Sequence, residues 1–138
     1  DPDIQLWEYV TVGSYAEEIG WKPGRTNWRG WDGVLDKSLT SPNQNWQSPG
    51  VLMSAFMTEE GTSFWLGQEV WEINTRIAFT DENKAEGYIM SYGLFDDSIA
   101  GRDLKLTMRE DNGFWFIETV DERESCLRGV SENKELCI

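Results

Sequence analysis

Two cysteines, one acidic turn and a cluster of tryptophans are the residues of this chain whose types and spacing could do chemistry. Cys126 and Cys137 are the only cysteines and lie close together near the end of the sequence. Two cysteines allow one intrachain bond, and closing a loop of this size stabilises by about 3 kcal/mol on the chain-entropy model. The spacing is too long for a Cys-x-x-Cys redox pair. Without a histidine, zinc would need two carboxylates beside the two thiolates. The pair therefore predicts a structural disulfide that clasps a terminal segment. It also predicts an oxidising address: secreted, periplasmic or in the cell envelope.

Asp96, Asp97 and Ser98 form the second group. Asp and Ser side chains hydrogen-bond neighbouring backbone N–H groups and hold bends, so turn chemistry accounts for all three. A carboxylate pair for calcium is the sharper alternative, but calcium takes six to eight oxygens and no Asp-x-Asp-x-Asp-Gly loop accompanies these residues. Glycosidase chemistry needs a second carboxyl across a cleft; Glu69, Glu72 and Glu118 are available, and nothing in the sequence selects one. A serine triad lacks its histidine base, and no phosphate-cradling Gly-x-x-x-x-Gly-Lys is present. The residues lean against an enzyme, and they imply no metal and no cofactor.

The third group is Trp21, Trp28 and Trp31, with Trp46 further on and Arg25 and Arg29 interleaved. Indole faces stack on sugar rings or peptides, and irregular loops are where binding residues concentrate. Trp also packs loops onto sheets, so a satellite core is the competing reading. The arginines either stack on the indoles or pair with the surplus of Asp and Glu. Trp21, Trp28, Trp31 and Arg29 are the binding residues this pattern nominates.

A chain of 138 residues fits one domain with one core, and eight Trp, six Phe and four Tyr compensate for a hydrophobic fraction of 39%. The net charge is −13, from 25 acidic and 12 basic residues. Nucleic acid is excluded as a partner, because its affinity rests on neutralising phosphates. Anionic membrane surfaces are excluded on the same grounds. Scattered acids read first as solubility, and second as attraction to a basic partner. No apolar run is long enough to span a bilayer. The chain opens Asp1-Pro2-Asp3 rather than with Met, which predicts a trimmed product whose precursor carries a signal peptide or a lipoprotein leader.

The elements that position these groups follow from period and punctuation. Residues 1–47 form an irregular Trp- and Gly-rich segment. Ser48 and Pro49 start a helix, as N-cap and first helical residue. Val51, Leu52, Ala55 and Phe56 recur at helical spacing, and Gly61 offers a stop, giving a helix within 48–60. A sheet spans 69–120. Trp71, Ile73, Thr75, Ile77 and Phe79 alternate with polar residues, Asp81 to Lys84 turns the chain, and Tyr88, Met90 and Tyr92 share one face of the next strand. Leu104, Leu106 and Met108 point inward on a third strand, and Asn112-Gly113 predicts a type I′ turn into a fourth. The tail, 121–138, is closed by the disulfide. The expectation is α+β: an antiparallel meander of four or more strands with one short helix across its apolar face and the other face wet. A cystatin-like curved sheet is the first choice, and a small β-barrel the alternative.

Asp96, Asp97 and Ser98, followed by Leu104, Leu106, Gly113, Trp115, Cys126 and Cys137, resemble a pattern in uncharacterised secreted or lipid-anchored bacterial domains. These have an Asp-Asp-Ser turn, a Gly-x-Trp strand and two closing cysteines, and the Ser48-Pro49 helix start is similar too. The resemblance covers the last two thirds of the chain, implies location and architecture, and transfers no active site. The expected function is a non-catalytic extracytoplasmic domain that binds a protein, peptide or cell-envelope component. A sugar-binding module or carboxylate-based glycosidase is the first alternative, and an acidic inhibitor or immunity-type protein the second.

Overall fold

The computed structural model describes residues 24–59, 72–93, 98–126 and 128–138. Strand β1 (Arg29–Gly30) is followed by a 3-10 turn (Lys37–Leu39), helix α1 (Pro49–Thr58), and strands β2 (Glu72–Asp81), β3 (Lys84–Tyr92), β4 (Ile99–Asp111) and β5 (Phe114–Cys126). All strands join one antiparallel sheet in the order β1-β5-β4-β3-β2. The fold is thus α+β, a four-stranded meander extended by a short strand from the irregular N-terminal segment.

Helix α1 starts as its sequence requires. The Ser48 side chain accepts from the Val51 N–H at 3.2 Å, and Pro49 occupies the first turn, where its missing N–H leaves no bond unmade. The helix stops before Gly61, which lies outside the described residues; Glu59 caps it, donating its N–H to the Phe56 carbonyl. Leu52, Met53 and Phe56 face the sheet and are buried. The sheet meets them with Ala85, Ile89, Leu104, Leu106, Met108, Trp115, Ile117 and Val120. Gly87 makes the closest approach possible: a Cβ there would fall 2.7 Å from Met53 Sδ and 2.9 Å from Met108 Cε.

Turn chemistry fixes the meander. Asn112 and Gly113 both adopt positive φ, 53° and 87°, which sets Asp111 opposite Phe114. Asp81 pairs with Lys84 across the β2–β3 turn. An irregularity between Thr107 and Met108 leaves Glu118 of β5 without an opposite residue, a β-bulge.

Two findings depart from the sequence expectation, and one concerns a strand face that it left open. Tyr88, Met90 and Tyr92 do share a face, but it is the one away from the helix, because the register places Ala85, Gly87 and Ile89 toward α1. That second face is not uniformly wet: Met90, Tyr92 and Asp103 are buried on it. In β2, Ile77 packs on the core, whereas Ile73 and Phe79 stay 44% and 63% exposed because β2 is an edge strand. Phe79 nevertheless meets Trp115 edge-on, with ring centroids 5.8 Å apart.

The tail is clasped as the sequence implied. Cys126 and Cys137 are disulfide-bonded with α-carbons 5.1 Å apart. Strand β5 runs on into the tail segment as far as Cys126, so one half of the disulfide belongs to the sheet. The tail in turn holds the N-terminal edge. Asn27 donates its backbone N–H to the Lys134 carbonyl at 2.8 Å and its side-chain amide to the Asn133 carbonyl at 3.1 Å. No helix among the described residues is long and apolar enough to cross a membrane.

Candidate functional site

Side chains alternate along an extended segment, so neighbouring residues of the N-terminal edge address opposite faces. Arg29 pairs with Glu122 and Gly30 with Asp121, which sends Trp28 to the face away from the helix and Trp31 to the helix side. Trp31 packs edge-on against Phe56, centroids 5.5 Å apart and planes at 69°. Trp46 also lies against the core, its indole N–H donating to the Ser38 carbonyl at 2.6 Å. Trp21 is outside the described residues. The nominated tryptophans therefore do not form one surface: Trp31 and Trp46 are packing residues, and Trp28 stands apart.

Around Trp28 the sheet builds a cationic and aromatic platform. The Arg123 guanidinium lies 4.3 Å from the ring centroid, Lys105 Nζ lies 4.7 Å from it, and the Tyr88 ring stands 6.4 Å away. Register explains the gathering, since Tyr88 sits opposite Lys105 on β3 and β4, and Asp103 opposite Arg123 on β4 and β5. Asp103 is the pivot. Its carboxylate is only 2% exposed, accepts from Arg123 Nε at 2.8 Å, and has Arg25 Nε at 3.6 Å. An acid this deep is tolerable only when paired with charge and hydrogen bonds. Pinned by Asp103, Arg123 is a fixed floor for the indole, and Trp28 stays half-buried above the sheet.

Tyr88 extends the platform. Its hydroxyl donates to Glu86 Oε1 at 3.0 Å. Burial, then the bond to Glu86 and the charge of that carboxylate, push its pKa up to about 12, against the opposing pull of Arg123 and Arg76. The phenol is thus a neutral donor throughout the physiological range.

Arg29 does not join Trp28. It turns to the opposite face, where Nη2 meets Glu124 Oε1 at 2.6 Å and Nε meets Glu122 Oε1 at 3.4 Å. Burial works against its charge, and the hydrogen bond and charge of Glu124, then of Glu122, outweigh it and raise the pKa. Glu122 is itself raised, chiefly by burial and next to carboxylates Asp32 and Glu124, with Arg29 and Arg102 pulling the other way. Arg25 and Arg29 both took the acidic partners the charge surplus offered. The cations that do stack on the indole, Lys105 and Arg123, were missed. The alternation of β4 put Lys105 outward, but no local pattern pairs either residue with Trp28 across so much sequence.

Of the remaining nominated carboxylates, Asp96, Asp97 and Glu69 lie outside the described residues. Glu72 accepts from the Asn74 side-chain amide at 2.8 Å, and Glu118 lies 3.2 Å from Arg109 Nε. A cleft of about 310 Å³ opens beside Glu118, lined by Gly30, Trp31, Leu35, Val120 and Asp121 among others.

By architecture and site, this is a small α+β domain with an aromatic and cationic platform on one sheet face and an acidic cleft at the sheet's edge. Compared with family models, with curated proteins and with solved structures, the chain matches none significantly.

Proposed function

We propose that the chain is a non-catalytic extracytoplasmic domain that binds a protein, peptide or cell-envelope component through the Trp28 face of its sheet. The single observation that supports this reading is the half-buried indole held over Arg123 and beside Lys105 and Tyr88. A ring fixed in this way offers rigid contact area at low entropic cost, the property that enriches Trp, Tyr and Arg at binding hot spots. The Cys126–Cys137 bond supports an oxidising compartment, secreted, periplasmic or at the envelope. The sheet laid on one preceding helix is read as cystatin-like rather than as a closed barrel.

Comparing Trp28→Ala with Trp31→Ala tests the reading. Trp31→Ala removes a ring packed on Phe56 and lowers stability by about 3 kcal/mol. Trp28→Ala lowers it by about 1 kcal/mol, and reduces retention of the protein on isolated cell-envelope fractions and on immobilised envelope proteins at least tenfold. Lys105→Ala, which leaves the Asp103 pairings intact, gives a smaller loss. Equal retention by the wild type and both platform variants refutes the proposal.

The same half-buried indole favours a sugar-binding module as the second reading, since pyranose rings stack on indole faces. Glycan-array binding that disappears in Trp28→Ala would select it over the protein partner.

A further inference from the structure

We propose that the cleft beside Trp31 seats the side chain of a lysine or arginine presented by an extended segment of a partner protein. This surface has its own lining at the β5 edge and meets the Trp28 platform only at Asp121, the cross-strand neighbour of Lys105.

The first support is an uncovered stretch of strand. Strand β5 runs from Phe114 to Cys126, yet β1 pairs only with its Asp121 and Glu122. The chain leaves β5 where the Trp31 N–H bonds the Val120 carbonyl, and touches it again where the Trp115 N–H bonds the Trp46 carbonyl. Between those contacts, residues 117–119 pair with β4 on one side and have no strand paired to their other edge among the described residues.

The second support is the bulge. Strict alternation would bury one of Glu118 and Thr119, but the extra residue breaks the pleat and leaves both exposed. Bulges commonly re-aim a side chain in this way next to functional sites. Here the re-aimed group is Glu118, which lines the cleft together with Asp121 and the Trp31 indole.

Charge complementarity selects the occupant. An alkyl stem fits against Trp31 and Leu35, and a cationic head reaches Glu118 and Asp121, so the lining matches both halves of a lysine or arginine. Asp32 adds negative charge nearby, close enough to act on Glu122. The cations that face the cleft are already committed. Arg109 lies 3.2 Å from Glu118 in a partly exposed pair, and Arg29 is held by Glu122 and Glu124. Lys105, opposite Asp121 across the sheet, is drawn onto Trp28. An incoming cation competes with the partly exposed Arg109 pair at Glu118, while at Asp121 the neighbouring Lys105 is turned toward Trp28. An overall charge of −13 steers basic segments toward it.

The test is an NMR titration of the isotope-labelled chain with the peptide Ac-Thr-Lys-Thr-Lys-Thr-NH₂ and its glutamate counterpart. The lysine peptide shifts the Trp31 indole N–H and the amides of residues 117–121, and the glutamate peptide does not. The double variant Glu118→Gln/Asp121→Asn weakens binding about five- to tenfold, the loss expected for two exposed ion pairs. Arg109→Gln frees Glu118 and tightens binding about twofold. Trp28→Ala leaves all of this unchanged. The proposal is overturned by equal shifts with both peptides, by an unchanged affinity in the double variant, or by loss of the shifts in Trp28→Ala. It is equally overturned if the lysine peptide shifts nothing at its solubility limit, or if calcium chloride alone reproduces the pattern where the peptide fails.

Discussion

Arg123 donates from Nε to Asp103 Oδ2 at 2.8 Å, and this pair decides where Trp28 can lie, because the same guanidinium sits 4.3 Å from the indole centroid. The carboxylate is buried and is shared with Arg25. Asp103→Ala takes a buried carboxylate away from two poorly exposed guanidinium groups, so it destabilises the fold by about 3 kcal/mol. Chemical denaturation measures this loss. A double-mutant cycle with Arg123→Met then shows strong coupling, because removing both charges together leaves less uncompensated charge than removing Asp103 alone.

Tyr88 supplies a spectroscopic handle on the platform. Of the four tyrosines, it titrates near 12, mainly through burial and its bond to Glu86. Since the folded value is raised, the associated stability is fully present below the ordinary phenol pKa of about 10 and is lost as pH rises toward 12. Absorbance at the phenolate band shows a late-titrating component in the wild type, and Tyr88→Phe lowers its amplitude by one tyrosine. A wild type whose tyrosines all ionise by the ordinary value contradicts the packing described for this ring.

Glu122 carries the opposite lesson for acid. Its pKa is raised by burial, with Asp32 and Glu124 adding to the effect and Arg29 and Arg102 opposing it. A raised carboxyl favours the protonated folded form. Its contribution to stability is therefore present below the ordinary glutamate value and lost as pH rises through the folded one. Glu122→Gln removes this liability and is more stable than the wild type at neutral pH. The two unfolding midpoints converge in acid. If the variant is instead less stable at neutral pH by the same margin at every pH, the Arg29 contact outweighs burial.

The disulfide fastens more than the tail. Because Asn27 bonds Lys134 and Asn133 inside the closed loop, the crosslink also steadies the edge next to β1. Cys126→Ser/Cys137→Ser lowers stability by about 2–4 kcal/mol. Amide exchange at Asn27 and Thr26 accelerates as well, whereas exchange in the centre of β3 and β4 at Ile89 and Leu104 changes only by the global amount.

How far the sequence reached depends on whether a feature is local. Ser48 and Pro49 specify a helix start by chemistry confined to one turn, and Asn112-Gly113 specifies a hairpin because positive φ at both positions suits almost no other pair. The period of two in β2 to β5 is likewise local, and so is the closeness of Cys126 to Cys137 that allowed their bond. Which face of a strand would meet the helix was not local. Tyr88, Met90 and Tyr92 carry more apolar surface than Ala85, Gly87 and Ile89, yet the helix rests on the smaller set, because Met53 needs the space that Gly87 leaves.

The amino-acid order by itself determined the hairpins, the helix cap, the crosslink and the acidity of this protein, since each is set by neighbours a few bonds apart. Only the tertiary structure parted Trp28 from Trp31, set Arg123 and Lys105 beneath the one, and left the other at an acidic cleft. Those relations depend on strand register across long stretches of chain, where a shift of one residue exchanges the faces, and register is fixed only once the whole sheet has packed.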